Sequence, residues 1–129
     1  MSSSPIGREV RQCMSEPACY PDGRMSARFL FPPGFIGFRG HFPGRPVLAA
    51  VCQVEAVAAM LEHWKQRPVK IERILFAKFL LPVSAGEEVV FECRERVEAD
   101  GRSVVTALAT RRGAKAAEIR IGVRFGDEG

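Results

Sequence analysis

Val47-Leu48-Ala49-Ala50-Val51-Cys52-Gln53-Val54-Glu55-Ala56-Val57-Ala58-Ala59-Met60-Leu61-Glu62-His63-Trp64-Lys65-Gln66 decides the fold. Strong helix formers dominate it, and Arg67-Pro68 stops it, so one long helix is expected over 47–66. Apolar residues occupy nearly every face of its first fifteen positions. A helix apolar all round in a small soluble protein is wrapped by a sheet or by a partner. The rest of the chain must supply that cover.

Downstream the pattern turns to strands. Val69–Val83 reads as a long strand region, Ser84-Ala85-Gly86 as a turn, and Val89–Glu98 as the next strand. Asp100-Gly101 is a strong hairpin signal before Ser103–Arg112, and Gly113 turns the chain into Ala117–Phe125. In that last segment Ile119, Ile121, Val123 and Phe125 alternate with Arg120, Gly122 and Arg124, giving one buried and one exposed face. Upstream, Val10–Tyr20 reads as an irregular strand interrupted by Pro17, turned at Pro21-Asp22-Gly23 into a return strand, Arg24–Phe31. The expected order is β-β-α-β-β-β-β, an α+β fold with an antiparallel sheet curved around one long central helix. A parallel dinucleotide-binding fold is excluded by that order. Residues 1–129 are expected to form one domain, with 1–9 and 126–129 as flexible tails.

Composition narrows the class. The chain is 47% hydrophobic and 26% charged, which is globular and neither disordered nor fibrous. The net charge of +4 suits an anionic partner but is too diffuse to argue nucleic acid. No apolar signal segment opens the sequence, and the Val47–Leu61 run is too short and too interrupted to span a bilayer. Cys13, Cys19, Cys52 and Cys93 form no CxxC pair and are expected as reduced thiols, with no disulfide frame and no metal site. A cytoplasmic protein is the expectation.

Two polar groups stand among apolar neighbours. His41 lies in the rigid Gly/Pro/Phe loop of residues 35–46, and Glu55 lies mid-helix between Val54 and Ala56. A carboxyl buried there has a raised pKa, and a nearby imidazole completes an acid–base pair. The other reading has Glu55 bonded to backbone and His41 capping the loop. On these residues alone both stand.

The string His41-Phe42-Pro43-Gly44-Arg45-Pro46-Val47-Leu48, followed by Val51-Cys52-Gln53-Val54-Glu55-Ala56, resembles the HFPGxPVxPGxxxxEAxxQ signature of the β-hydroxyacyl-acyl-carrier-protein dehydratases, the FabA/FabZ-like family with the hotdog fold. Lys78-Phe79-Leu80-Leu81-Pro82-Val83-Ser84-Ala85-Gly86-Glu87 is similar to the family's second segment, RFxxPVxPGD. The resemblance covers Arg24 to Phe125. It implies that His41 removes the α-proton of a β-hydroxyacyl thioester and that Glu55 helps the β-hydroxyl leave as water. It further implies that backbone N–H groups near Ala50 and Val51 polarise the thioester carbonyl, with Phe42 and Gly44 beside the substrate. No cofactor is implied. The partners implied are an acyl thioester on acyl carrier protein or coenzyme A, with no nucleic acid and no membrane. A homodimer is implied, whose two chains share the His/Glu pair and an acyl tunnel. Glu, where isomerising members carry Asp, disfavours double-bond isomerisation.

The departures are Ala49-Ala50 in place of Pro-Gly, Met60 or its neighbours in place of Gln, and a shortened N-terminus similar to the compact dehydratases of secondary pathways such as polyene synthesis. Arg45, Lys78, Arg111 and Arg112 are either a basic rim for an acidic carrier or ordinary solvated charges. His63 is expected as a solvated charge at the helix C-terminus, and Cys52 as a core or tunnel residue. Two other functions remain open: a hotdog thioesterase, and a catalytically silent partner subunit.

Overall fold

The structure, a computed structural model, describes residues 5–35 and 50–126. In chain order its elements are α1 (Pro5–Gln12), β1 (Met14–Cys19), β2 (Arg24–Leu30), α2 (Ala50–Lys65), β3 (Val69–Phe79), β4 (Glu88–Val97), β5 (Ser103–Arg111) and β6 (Ala114–Phe125). The strands make one antiparallel sheet in the order β1-β2-β4-β5-β6-β3. Hairpins explain most of that order, while β3, entered from α2, pairs with β6 at the far edge.

The expected hairpins form where the turn chemistry demanded them. Gly23 and Gly101 take φ of +86°, each after an aspartate, in the left-handed region that a residue with a Cβ enters only at a cost. The alternation in β6 holds: Ile119, Ile121 and Val123 are buried, whereas Arg120 and Arg124 are exposed. Gly122 departs from it, because the Arg73 guanidinium lies over it, with Nε 3.3 Å from where a Cβ would stand.

The N-terminus differs from expectation. Residues 5–12, expected as tail and irregular strand, form α1, which buries Gly7 and Val10. Two helices are therefore present among the described residues, not one. Ser4-Pro5 was the legible signal, since proline at the first helical position needs no donor and has the right φ.

Helix α2 runs for 16 residues, and 47–49 lie outside the described residues. It stops after Lys65 because Gln66 turns to φ +54° and spends its side-chain amide on the His63 carbonyl at 2.6 Å. Ala56 through Leu61 are all buried, six consecutive positions that span every face of a helix. The sheet covers one side and α1 the other, with Arg11 of α1 paired to Glu62 of α2 at 3.3 Å. Against α2 the sheet packs Met25, Ala27, Phe29, Phe91, Cys93, Val105, Ala107, Ile119 and Ile121 in one core.

Candidate active site at the N-terminus of helix α2

The chain leading from the core to residue 35 is aromatic. Phe91 meets Phe29 edge-on at 5.5 Å, Phe29 stacks on Phe31 at 5.9 Å, and Phe31 packs on Phe35 at 5.0 Å. All four rings are buried. Phe35 is therefore anchored at the residue immediately before 36–49, its N–H donating to the Pro32 carbonyl at 2.9 Å. His41, Phe42, Gly44 and Arg45 all fall in that stretch and lie outside the described residues.

After it, α2 opens at Ala50. The N–H groups in the first turn of a helix carry the positive end of its dipole. Ala50 is exposed and Val51 is 56% exposed, so this end of the helix is open to a ligand. No acidic side chain occupies the first turn to satisfy those donors.

Glu55 lies one turn beyond Val51, on the same helical face. It is half-buried. Burial pushes its carboxyl above the ordinary glutamate value; the charge of Glu62 adds to the shift and Arg11 opposes it. Glu62 stands two turns further along that face and is itself held by Arg11 and by the Val69 N–H at 3.1 Å. Sequence reading missed this Glu62–Arg11 control of Glu55, although the spacing of seven between the two glutamates placed them on one face.

The other named residues separate clearly. Gln53 is buried at 3% exposure on the opposite side of α2, and its Oε1 has no hydrogen-bond partner among the described residues. Cys52 is buried in the core. No disulfide joins the four cysteines, and burial pushes the Cys93 thiol up to about 12 and the Cys13 thiol up to about 11. Neither is a nucleophile at neutral pH. Among the described residues no cluster of three or more potential ligands offers a metal site. His63 is exposed in the last turn of α2.

Of the basic rim, Lys78 is exposed near the end of β3 and Arg112 is exposed in the turn between β5 and β6. Arg111 is occupied: its Nη1 donates to the Pro82 carbonyl at 2.6 Å and lies 3.5 Å from Glu87. That guanidinium braces the loop after β3 and is less available to a partner than its position in the sequence suggested.

Residues 18–118, more than three quarters of the chain, match the family model described as ApeI-like, the ApeI dehydratase. The chain belongs to the ApeI-like dehydratase family. No curated protein sequence matches it. Among solved structures it is similar to the dehydratase heterocomplex ApeI:P from Xenorhabdus doucetiae, at TM-score 0.73 and 18% identity over 85% of this chain and 95% of that one. It is also similar to the E. coli PaaI protein from the phenylacetic acid degradation operon, at TM-score 0.68 and 10% identity over 92% and 88% of the two chains. The smu.793 protein from Streptococcus mutans, bound to acetyl CoA, aligns at TM-score 0.64 and 8% identity over 86% and 87%. These likenesses establish the hotdog fold. No described helix of this family member is long and apolar enough to cross a membrane.

Proposed function

We propose that this ApeI-like protein, a single domain over residues 1–129, converts a β-hydroxyacyl thioester to the trans-2-enoyl thioester and water. The thioester is carried on acyl carrier protein or coenzyme A, in cytoplasmic fatty-acid or related acyl-chain biosynthesis. The observation that carries this reading is Glu55: a half-buried carboxyl with a raised pKa, one turn from the open N-terminus of α2 and fourteen residues after His41. His41 takes the α-proton, and the electron pair of that C–H bond becomes the new double bond. The C–O bond at the β-carbon breaks as Glu55 gives its proton to the departing hydroxyl. A carboxyl whose pKa is raised by burial is better suited to that donation than an exposed one. The negative charge that develops on the thioester oxygen is met by the N–H groups of Ala50 and Val51. Phe42 and Gly44 line the approach to that oxygen, and Arg45, Lys78 and Arg112 face the carrier.

The working unit is a dimer built on β3. Ile74 and Phe79 stand on the core face of the sheet, opposite Ile121 and Ala117, yet are 60% and 41% exposed. Something must cover them. The other edge, β1, is short, bulged and broken by Pro17, whereas β3 is eleven residues long with its outer hydrogen-bonding edge unpaired. A second hotdog chain adding its own β3 buries that edge and brings His41 of one chain toward Glu55 of the other. A homodimer is the simplest form. Ala49-Ala50 favours an alternative in which this chain is the silent half of a heterodimer, and the heterocomplex of the Xenorhabdus doucetiae dehydratase supports that second reading.

The test is kinetic. Purified protein should hydrate a crotonyl thioester, and His41→Ala and Glu55→Gln should each reduce the rate by about 10²- to 10⁴-fold. Wild-type-like rates in both variants would sink the mechanism. Release of free thiol without hydration would replace it with a thioesterase, and activity only after mixing with a second hotdog chain would favour the heterodimer.

A further inference from the structure

The outer face of the sheet, away from α2, carries a row of arginines that the dehydration reaction does not use. The register places Arg24 of β2 opposite Arg94 of β4, Arg94 opposite Thr106 of β5, and Thr106 opposite Arg120 of β6. The adjacent row runs Arg96, Val104, Gly122, Arg73. Residues paired in register project from the same face, so five guanidiniums share this patch. Arg24 is neutralised by Asp22 at 2.8 Å and Glu92 at 3.6 Å, and Arg96 by Glu98 at 3.1 Å. Arg73, Arg94 and Arg120 have no ion pair among the described residues. Like charges gathered on one face of a sheet are destabilising, and such breaks of local rule concentrate where a ligand compensates them.

The patch is concave. A cavity of about 420 Å³ opens between Arg94, Arg96 and Arg120, with Thr106 between Arg94 and Arg120 and Val104 also in its lining. Val104 is only 4% exposed despite lying on the outer face. Two acids also line the cavity: Asp22 is bound by Arg24 and also feels the charge of Arg94, and Glu95 is held by Lys65 and Ser103. Arg94 and Arg120, which feel Asp22 and Glu118 but make no contact ion pair among the described residues, stand about two strand spacings or roughly 10 Å apart at the backbone, with a hydroxyl between them.

We propose that this cavity is a binding site for a phosphomonoester. Such a group bears close to two negative charges and three terminal oxygens, which matches two planar forks and one hydroxyl better than a single carboxylate does. The site stands on the sheet face opposite the helix that carries Glu55 and is independent of the dehydratase reading. Calorimetric titration at low salt of the full-length protein with inorganic phosphate and with adenosine 3′,5′-bisphosphate tests it.

Binding that weakens by about tenfold for each of Arg94→Gln and Arg120→Gln, and with added salt, is the expected result. The control variant Arg28→Gln, on the same sheet but paired to Glu16 and Glu88, should bind like the wild type. Binding of both probes would identify free phosphate as sufficient; binding of the bisphosphate alone would identify a nucleotide-borne phosphate. No binding of either probe at millimolar concentration overturns the proposal, as does equal binding by wild type and the Arg94→Gln/Arg120→Gln double variant. Circular dichroism of each variant separates a lost site from a lost fold.

Discussion

Phe35→Leu separates the anchoring of the catalytic-loop sequence from the general stability of the core. Phe35 is buried, packs 5.0 Å from Phe31, and immediately precedes the stretch that contains His41. Replacing it forfeits one aromatic pair, about 0.5–1.5 kcal/mol, together with the penalty for a shape change of at most about 1.5 kcal/mol. The expected loss is about 1–3 kcal/mol, which a domain with about 5–15 kcal/mol survives. Phe91→Leu provides the comparison. That ring is equally buried and pairs with Phe29 at 5.5 Å, but it sits on β4, remote in sequence from His41.

Urea unfolding should show similar losses for the two variants. Crotonyl-thioester hydration should fall by about 10- to 100-fold in kcat for Phe35→Leu, because a catalytic group displaced by an ångström loses that much. For Phe91→Leu, kcat should stay within about twofold of wild type at a temperature where both proteins are folded. Equal kcat for the two variants, in either direction, would refute the view that Phe35 sets the position of the loop.

Three further outcomes follow from the environment of Glu55 and from the sheet edge. Glu62→Gln removes the charge that helps raise the Glu55 pKa, so the alkaline limb of kcat/KM should move to lower pH; Arg11→Gln removes the opposing charge and should move that limb higher. A pH–rate profile of each variant checks both directions. Because the folded state raises the Glu55 pKa, ionising that carboxyl costs stability as pH rises past the unfolded value of about 4.3. Glu55→Gln should therefore match wild type in urea midpoint near pH 3.5 and exceed it at pH 7; a constant difference across that range would contradict the burial argument. Ile74→Lys places a charge on the uncovered core face of β3 and should convert the proposed dimer to monomer in analytical ultracentrifugation, with activity falling in parallel.

Much of the fold was legible because its signals are local. Asp22-Gly23 and Asp100-Gly101 set turns through backbone conformations that glycine adopts at little cost, and the period-2 pattern of β6 named its buried face. Helix α2 announced itself by composition and its end by Gln66-Arg67-Pro68. The short first helix was less legible. Its eight residues cannot be stable alone, and it forms because Val10 is buried and Arg11 finds Glu62. Glu55 stood out as a carboxyl in an apolar run, but how its proton is held depends on Glu62 and on α1, a helix 38 residues earlier in the chain.

The sequence by itself offered His41 and Glu55 as a candidate pair and determined the helix that carries Glu55 and the antiparallel strands, since spacing, turn chemistry and periodicity act over a few residues. Only the tertiary structure decided what surrounds them. It wrapped α2 from both sides, tied Arg111 to the Pro82 carbonyl, left Ile74 and Phe79 uncovered on the edge of the sheet, and gathered arginines from four strands onto one face. Those are consequences of strand order and register. They depend on residues far apart in the chain that meet only when each strand finds its neighbour, and no local pattern encodes such a meeting.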